Sequence, residues 1–314
     1  MRRILLVKTS SLGDVVHNLP VVTDLRAQFP DVEIDWAVER SLSAIPKMHP
    51  AVSQVVPVEP RRWRRSLASR ATWDEIGQIR DQFRTRGYDA VIDTQGLVKS
   101  ALIARLAPGR RYGLDWRSSR EPLRPLYNQT FAVPWTSHAV ERNRSLAAQA
   151  LQYGIDTPAD YGLAVGQAAD TQSDLYAVLL HSTSAMEKLW PERQWVKLGD
   201  YLRHNGLRSV LIWGSDEERE RSERIAKLIK DAQVAPRLTL TDAAELLRKS
   251  AAVFGVDSGL SHLAVALGTP TVGIYCATDP AATGLYGGIR IANVGSKGGP
   301  PSVSQVIAAW RELA

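Results

Sequence analysis

Residues 3–14 read RILLVKTSSLGD, and this stretch decides the fold of the first half of the chain. Its apolar start, Arg3–Lys8, has the length and composition of a buried strand, and Gly13 and Asp14 open a helical pattern. The same alternation recurs, with further strands predicted at 33–38, 54–58, 88–93, 176–181, 209–213, 252–256 and 271–275. Strands this apolar, separated by helices, form parallel sheets covered on both faces.

A polar stretch at 156–174 interrupts this alternation, which then restarts. We therefore predict an α/β protein with two doubly wound, Rossmann-like domains facing a central cleft. Their predicted bounds are 1–160 and 161–300, and a C-terminal helix follows at 301–314. The length of 314 residues suffices for two domains that each bury a core.

Composition excludes several classes of protein. Nine Trp and 44% hydrophobic residues exclude a disordered chain, and no apolar run approaches the roughly 18 residues that span a bilayer. The single cysteine, Cys276, excludes an intramolecular disulfide and a cysteine-built zinc site. The low cysteine content favours a cytoplasmic location. The chain also lacks H-E-x-x-H and D-x-D motifs, so we expect no metal, and we expect no cofactor.

The charge of the chain is unevenly distributed. Residues 1–150 carry 23 Lys and Arg against 15 Asp and Glu, whereas residues 151–314 carry 16 against 18. The basic excess therefore belongs to the first half, which predicts an acidic partner for that half. Nucleic acid, an anionic lipid surface and a phosphorylated substrate all satisfy this condition.

The turn after the first strand, Lys8–Asp14, places Asp14 at the carboxyl edge of the sheet, where doubly wound folds bind ligands. It matches neither G-x-G-x-x-G nor G-x-x-x-x-G-K-[ST]. Asp14 is therefore a candidate functional carboxylate, and a helix cap or first-turn residue is the alternative.

Two turns in the second half have a composition that suits a nucleotide. Residues 254–262, FGVDSGLSH, run from a strand into a helix whose first N–H groups can bind phosphate, and Asp257 could accept from ribose hydroxyls. Residues 181–191, HSTSAMEKLWP, offer Thr183, Ser184 and Lys188 as a diphosphate clamp. An ordinary βα turn and a polar loop are the alternatives.

Residues 61–65, RRWRR, contain four arginines in five positions. The guanidinium group binds phosphate and carboxylate groups through two parallel hydrogen bonds, so this run suits an anionic ligand. A solvated loop is one alternative. RNA binding is another, since Trp63 could stack on a base.

Taken in order, these segments resemble the lipopolysaccharide heptosyltransferases, and the similarity extends over nearly the whole chain. Its other marks are 89–100 (DAVIDTQGLVKS), 113–122 (GLDWRSSREP) and 138–142 (HAVER). The resemblance implies a GT-B fold with the acceptor on the N-terminal domain and the nucleotide sugar on the C-terminal one. It implies an inverting transfer of L-glycero-D-manno-heptose from ADP-heptose to Kdo of Kdo-lipid A; the enzyme adding the second heptose is the alternative.

The resemblance also assigns site residues. Asp14 corresponds to the catalytic general base and Lys188 to the lysine at the donor phosphates. The implied donor-binding residues are Thr183, Ser184, Lys188, Glu218, Leu238, Asp257, Ser258, Gly259 and His262. The implied acceptor-binding residues are Arg61, Arg62, Arg64, Arg65, Arg120, His138 and Arg142.

The implied partners are ADP-heptose, Kdo-lipid A and an anionic membrane surface. The enzyme is expected to act peripherally at the cytosolic face of the inner membrane of a Gram-negative bacterium, without nucleic acid. A basic RNA-binding protein and a nucleotide-dependent oxidoreductase are the alternatives from other classes, although Lys8–Asp14 lacks the glycine fingerprint that the oxidoreductase needs.

Overall fold

The computed structural model describes residues 1–163, 175–183 and 185–313, and the chain divides into two compact units, Met1–Gly162 and Leu163–Ala314. Each unit contains one six-stranded sheet in which every paired strand is parallel to its neighbour. The predicted fold class, two doubly wound α/β units, is confirmed.

The first unit begins with a strand and alternates strands with helices. Its strands are β1 (Arg3–Val7), β2 (Glu33–Glu39), β3 (Val52–Val58), β4 (Ala90–Asp93), β5 (Arg110–Leu114) and β6 (Gln129–Phe131). Its helices are α1 (Leu12–Val16), α2 (Leu19–Gln28), α3 (Ala44–Lys47), α4 (Pro60–Arg65), α5 (Arg70–Arg86), α6 (Val98–Leu106) and α7 (Ala139–Leu151). The strand order is β3-β2-β1-β4-β5-β6, so the direction of winding reverses between β1 and β4.

The second unit repeats this plan. Its strands are β7 (Tyr176–Leu180), β8 (Arg208–Leu211), β9 (Gln233–Val234), β10 (Ala252–Val256), β11 (Thr271–Tyr275) and β12 (Ile291–Gly295). Its helices are α8 (Glu192–His204), α9 (Asp216–Lys227), α10 (Leu240–Lys249), α11 (Gly259–Ala266), α12 (Pro280–Thr283) and α13 (Val303–Leu313). The strand order is β12-β11-β10-β7-β8-β9, which places the reversal between β7 and β10.

The central strands form the core of each sheet. β1 and β10 are buried along almost their whole length, which agrees with their continuous apolar sequences. The C-terminal helix α13 packs on the second unit, where Val306 is fully buried and Trp310 contacts Phe254 edge to face at 5.5 Å between ring centroids.

Three local differences from the sequence expectations have physical causes. The helical pattern that Gly13 and Asp14 open forms two helices, because the turn at His17–Asn18 separates α1 from α2 and Pro20 fits the first turn of α2. The arginine run 61–65, for which a solvated loop was one alternative, forms α4, which Pro60 starts. The strands β5, β6, β9 and β12 were not anticipated, since they are short or polar and lie away from the sheet centres.

A buried ion pair joins α2 to α7 in the first unit. The Arg144 guanidinium donates to both carboxylate oxygens of Asp24, at 2.8 and 3.0 Å, and to the backbone oxygen of Thr157 at 2.9 Å. Its side chain is 2% exposed. Arg144 therefore connects α2, α7 and the segment that follows α7.

Arg144→Leu is expected to lower the free energy of unfolding of the first unit by about 3–5 kcal/mol, because it leaves the Asp24 carboxylate buried without its partner. Urea unfolding followed by circular dichroism measures the effect. The control is Arg219→Leu, which removes an exposed pair with Glu223 and should cost less than about 1 kcal/mol. Equal shifts for both variants would contradict a structural role of the buried pair.

Candidate active site

Some of the predicted site residues lie beyond the carboxyl ends of the central strands. In the first unit Asp14 follows β1, and in the second unit Thr183 and Lys188 follow β7 and residues 257–262 follow β10. The other predicted site residues that the structure describes follow strands nearer the sheet edges. In doubly wound sheets this edge forms a crevice at the point where the winding reverses, because the connections leave in opposite directions. Each unit therefore presents its polar side chains at the position where its topology favours a ligand.

Asp14 lies in the first turn of α1 and is half-buried. Its Oδ2 accepts hydrogen bonds from the backbone N–H of Ser11 at 2.8 Å and from the Ser11 hydroxyl at 2.9 Å. The peptide bond between Ser10 and Ser11 is cis. Within the described residues Oδ1 accepts no hydrogen bond. Oδ2 of Asp14 therefore caps the helix, as the alternative interpretation proposes, whereas Oδ1 is left open to a ligand.

The turn that carries Asp14 is held from β4 and α6. The Gln95 side-chain oxygen accepts from the backbone N–H groups of Thr9 and Ser10, both at 3.0 Å. The Lys99 ammonium donates to the Ser10 hydroxyl at 2.6 Å, and the Lys8 ammonium donates to the backbone oxygen of Thr94 at 2.8 Å. These contacts fix the strand-to-helix turn from two neighbouring segments.

A group of cations surrounds this turn. Burial lowers the pKa of Lys8, an effect that the charges of Asp14 and Asp93 oppose and that Arg142 and Arg120 reinforce. Burial also lowers the pKa of Lys99. Arg120 and Arg142, assigned to the acceptor, therefore lie within electrostatic range of the Asp14 turn.

Aromatic rings order two of the predicted acceptor residues. The Arg142 guanidinium lies 3.6 Å from the centroid of the Trp135 ring and donates to the backbone oxygen of Ser118 at 2.6 Å. Arg120 lies 6.0 Å from the same centroid. His138 caps α7, where its Nδ1 accepts from the Val140 N–H at 3.2 Å. The structure thus brings Arg120 and Arg142 together.

The four arginines of α4 differ in their surroundings. Arg61 pairs with Glu39 at 3.2 Å, and Glu39 also lies 3.8 Å from Lys99, so Arg61 is connected to the Asp14 turn. Arg62 pairs with Glu75. Arg64 and Arg65 are exposed and make no ion pair within the described part of the chain.

The base-stacking role considered for Trp63 is wrong. The Trp63 side chain is 6% exposed, packs in the core of the first unit and donates its indole N–H to Glu75 at 2.8 Å. In α4 the arginines on either side of it face solvent because Trp63 faces the core. Trp63 therefore cannot stack on a base, and this stacking was the feature that favoured RNA over other anions.

In the second unit, Asp257 is the centre of a hydrogen-bonded cluster. Its Oδ2 accepts from the Lys188 ammonium and from the Thr278 hydroxyl, both at 2.8 Å. His262 lies 3.8 Å from Oδ1, and the Thr183 hydroxyl donates to the backbone oxygen of Asp257 at 3.1 Å. Burial alone would raise the pKa of Asp257, but His262, Lys188 and Thr278 together hold it well below its usual range.

This cluster joins segments that are distant in sequence. Thr183 follows β7 and Lys188 ends a short 3-10 helix, whereas Asp257 follows β10. Ser258 caps α11, and its hydroxyl lies 3.1 Å from that of Ser261; Gly259 is the first residue of that helix. The first N–H groups of a helix lack intrahelical partners, so this end is available to an anion. Ser184 lies outside the described residues.

The two remaining donor candidates lie along the same edge of the second sheet. Glu218 is in the first turn of α9, where it accepts from the Gly214 N–H at 2.7 Å and from the Ser215 N–H at 3.3 Å. It is therefore a capping-box residue, with Ser215 as its reciprocal partner. Leu238 lies half-buried between β9 and α10. Within the part of the chain that the structure describes, neither residue forms a hydrogen bond with the Asp257 cluster.

Several residues of the site were not singled out from sequence. Gln95, Lys99 and Lys8 lie inside quoted motifs but had no role assigned, and Thr278 lies outside every motif. A polar residue just beyond the end of a central strand is the signal that could have identified Thr278, since β11 is adjacent to β10.

Two kinds of feature are absent from the described ranges, 1–163, 175–183 and 185–313. None of their helices has the length and hydrophobicity for crossing a membrane. None of their His, Cys, Asp and Glu side chains form a group of three or more that could hold a metal ion.

Comparison with known proteins identifies the family. The family model "Glycosyltransferase family 9 (heptosyltransferase)" matches residues 76–305. The chain belongs to this family. It is similar to lipopolysaccharide heptosyltransferase 1 of Escherichia coli K12, with 43% identity over 290 residues that cover 91% of each protein. The corresponding protein of Pseudomonas aeruginosa is 44% identical over 289 residues, which cover 91% of this chain and 81% of that protein.

A solved structure of Escherichia coli heptosyltransferase WaaC with ADP superimposes with a TM-score of 0.89 at 39% identity, covering 99% of this chain and 98% of that one. The same enzyme with ADP-2-deoxy-2-fluoro heptose gives a TM-score of 0.85. The expected GT-B fold, the resemblance to heptosyltransferases and the glycosyltransferase class are thereby confirmed for this family 9 enzyme.

A buried histidine in the second unit of this glycosyltransferase is expected to make its stability depend on pH. His181 is fully buried at the end of β7, between the hydroxyls of Ser222 at 2.6 Å and Ser182 at 2.8 Å. Burial, reinforced by the charge of Arg221, lowers the pKa of His181 to about 4. An unfolded histidine titrates near 6.5, so the unfolded state binds more protons between these values and stability falls as the pH falls from 6.5 to 4.

Between pH 6.5 and pH 4, His181 should lower the free energy of unfolding of the wild type by about 3 kcal/mol, and His181→Gln should abolish this decrease. Urea unfolding at several pH values measures this slope. The matched control is His204→Gln, a change at an exposed position of α8. If His181→Gln and the wild type lose stability in parallel, His181 does not carry the acid sensitivity.

Proposed function

We propose that this enzyme transfers L-glycero-D-manno-heptose from ADP-heptose to Kdo of Kdo-lipid A, with inversion at the anomeric carbon, in the synthesis of the lipopolysaccharide inner core. The observation that carries the proposal is the half-buried Asp14 carboxylate, with one oxygen fixed by Ser11 and the other open beside a group of cations. A carboxylate so arranged can take a proton from a sugar hydroxyl while an anionic acceptor is bound around it.

Asp14 acts as the general base in this proposal. The two hydrogen bonds from Ser11 to Oδ2 fix the orientation of the carboxylate, so Oδ1 is presented to the acceptor hydroxyl in a defined direction. Deprotonation of that hydroxyl accompanies its attack on the anomeric carbon, and ADP leaves from the opposite face. Preorganisation of the base lowers the entropic cost of reaching this geometry.

Lys188 and the start of α11 stabilise the charge that develops on the departing diphosphate. The Lys188 ammonium is bound to Asp257 at 2.8 Å, and its side chain remains 28% exposed. It is therefore held in place and still accessible to a phosphate oxygen. Together with the first N–H groups of α11 it provides a positive environment that is in position before the reaction.

The acceptor interacts with the basic surface of the first unit. Kdo-lipid A carries carboxylates and phosphates, which guanidinium groups bind through paired hydrogen bonds. Arg120 and Arg142 are ordered by Trp135 near the Asp14 turn, and Arg61 is linked to that turn through Glu39 and Lys99. Arg62, Arg64, Arg65 and His138 complete the proposed set.

The relatives support the donor and the step. The solved neighbour at 39% identity was crystallised with ADP and with a fluorinated ADP-heptose, and the curated relatives at 43–44% identity carry the name heptosyltransferase 1. These matches favour the first heptose transfer over the second.

Asp14→Asn should lower kcat for ADP release about 10²-fold or more, because Asn can still accept the Ser11 hydrogen bonds but cannot take a proton. The assay follows ADP formation from ADP-heptose and Kdo-lipid A. The control is Asp31→Asn, an exposed position in the same unit, which should retain wild-type turnover.

Two results would contradict the proposal. Equal turnover of Asp14→Asn and the wild type would show that Asp14 is only a helix cap. Turnover of the wild type with a heptosylated core but not with Kdo-lipid A would assign the second heptose transfer instead.

We also propose that the first unit contacts an anionic membrane surface through a basic patch, defined as Arg64, Arg65, Arg70, Leu67 and Trp73. All five side chains are exposed, and the Trp73 indole N–H donates to the backbone oxygen of Leu67 at 2.8 Å. Leu67 and Trp73 are each more than half exposed. Exposed Trp and Leu beside arginines are typical of surfaces that lie at the lipid headgroups.

The double variant Arg64→Gln/Arg65→Gln should lower binding to phosphatidylglycerol-containing vesicles about 30-fold at low salt, since each arginine near the surface contributes about 1 kcal/mol. Vesicle sedimentation measures the bound fraction. The matched control is Arg219→Gln/Arg237→Gln, two exposed arginines of the second unit. Equal binding of both double variants would show that the basic patch is not the membrane contact.

A further inference from the structure

The motif at 93–99, DTQGLVK, is part of the family resemblance, and the proposed chemistry gives no role to its third residue. Its third residue, Gln95, lies where β4 ends, next to the turn that leaves β1. The Gln95 side-chain oxygen accepts from the N–H groups of Thr9 and Ser10 at 3.0 Å each. One carboxamide thus satisfies two successive backbone donors that no helix or strand partner satisfies.

The backbone of Gln95 is itself fixed. Asp93 is fully buried, and its Oδ1 accepts from the N–H groups of Gln95 at 2.9 Å and of Gly96 at 3.2 Å. Its Oδ2 accepts from the Tyr127 hydroxyl at 2.7 Å. Gly96 has φ +68°, a conformation that favours glycine and that turns the chain away after Gln95. The side chain of Gln95 therefore starts from a rigid point.

The contacts continue from Gln95 to the proposed base. Thr9 and Ser10 are both buried, and the next residue, Ser11, supplies both hydrogen bonds to Asp14 Oδ2. The path from the core to the carboxylate thus runs through Gln95, two backbone amides and Ser11. A shift of the Thr9–Ser10 backbone would move Ser11 and change the direction of the open oxygen.

We propose that Gln95 is a positioning residue for Asp14, which holds the turn between β1 and α1 so that the carboxylate faces the acceptor hydroxyl. This inference rests on the proposed role of Asp14 as general base. It adds that the geometry of the base is set from β4, across the point where the winding of the sheet reverses.

The neutrality of Gln95 is part of the proposal. A glutamate could accept the same two hydrogen bonds, but it would add a negative charge at the N–H groups of Thr9 and Ser10, directly before Ser11. The charged groups around this turn are Lys8 and Lys99, with Glu39 beside Lys99 and with Asp93, Arg120 and Arg142 near Lys8. A carboxylate added at position 95 would be a like charge close to the proposed base, so the acidic limb of the kcat profile would lie at higher pH.

The test compares Gln95→Leu with Gln95→Glu in the full-length enzyme, using kcat and KM for both substrates from pH 5 to pH 9. Gln95→Leu removes the acceptor and should lower kcat about 10- to 100-fold, with KM for ADP-heptose changed less than twofold. At high pH the kcat of Gln95→Glu should be at least tenfold higher than that of Gln95→Leu. The acidic limb of its kcat profile should move to higher pH by at least half a unit.

The matched control is Gln149, an exposed glutamine of α7, changed to Leu and Glu. Both changes there should leave kcat and its pH profile as in the wild type. Thermal unfolding of every variant identifies losses that come from misfolding, and kcat is corrected for the folded fraction.

Asp14→Asn, measured alongside, separates the two proposals. If it abolishes turnover while Gln95→Leu keeps wild-type kcat, Asp14 is the base and Gln95 does not position it. If Gln95→Glu leaves the acidic limb unmoved and fails to recover kcat, the contact is merely structural and the inference is wrong. If Asp14→Asn keeps wild-type turnover, the general-base proposal fails and the inference fails with it.

Discussion

The site depends on one constraint, the parallel pairing of the central strands. β1 pairs in register with β4 through Val7 and Asp93, and β10 pairs with β7 through Gly255 and Leu180. Within each sheet the paired strands therefore end at the same edge, and residues that follow them meet although they are about 70 to 90 positions apart. Hydrogen bonds such as that from Lys188 to Asp257 are consequences of this alignment.

Sequence patterns predicted this constraint well, because apolar strands that must be covered on both faces leave a strong signal. Arg3–Lys8 and 252–256 could be placed within a residue or two, and Asp14 and Asp257 could be placed at strand ends. The edge strands β9 and β12 could not, since β9 has two residues and β12, IANVG, contains Asn and ends in Gly. Pairing with β8 and β11 stabilises them, and that pairing is not a local property.

The difference between local sequence patterns and non-local packing also explains which features of the site could be predicted. The arginine run 61–65 was correctly read as basic, but only packing shows that Trp63 is buried and that Arg61 and Arg62 have acidic partners. Gln95 and Thr278 carry no charge and follow no spacing rule. Their importance comes from what lies opposite them, namely two backbone amides for Gln95 and the Asp257 carboxylate for Thr278.

The carboxylates of Asp14 and Asp257 lie in different environments, and the difference favours different tasks for them. Asp257 receives Lys188 and Thr278 on one oxygen and has His262 near the other, and its pKa is held well below the usual range. A carboxylate stabilised so strongly in its ionised form is a poor proton acceptor, and it serves instead to orient the lysine. Asp14 shares one oxygen with Ser11 and keeps the other open. The number of donors that already occupy each carboxylate therefore supports the proposed placement of the base in the first unit, since pairs of carboxyl groups are divided into roles by their surroundings.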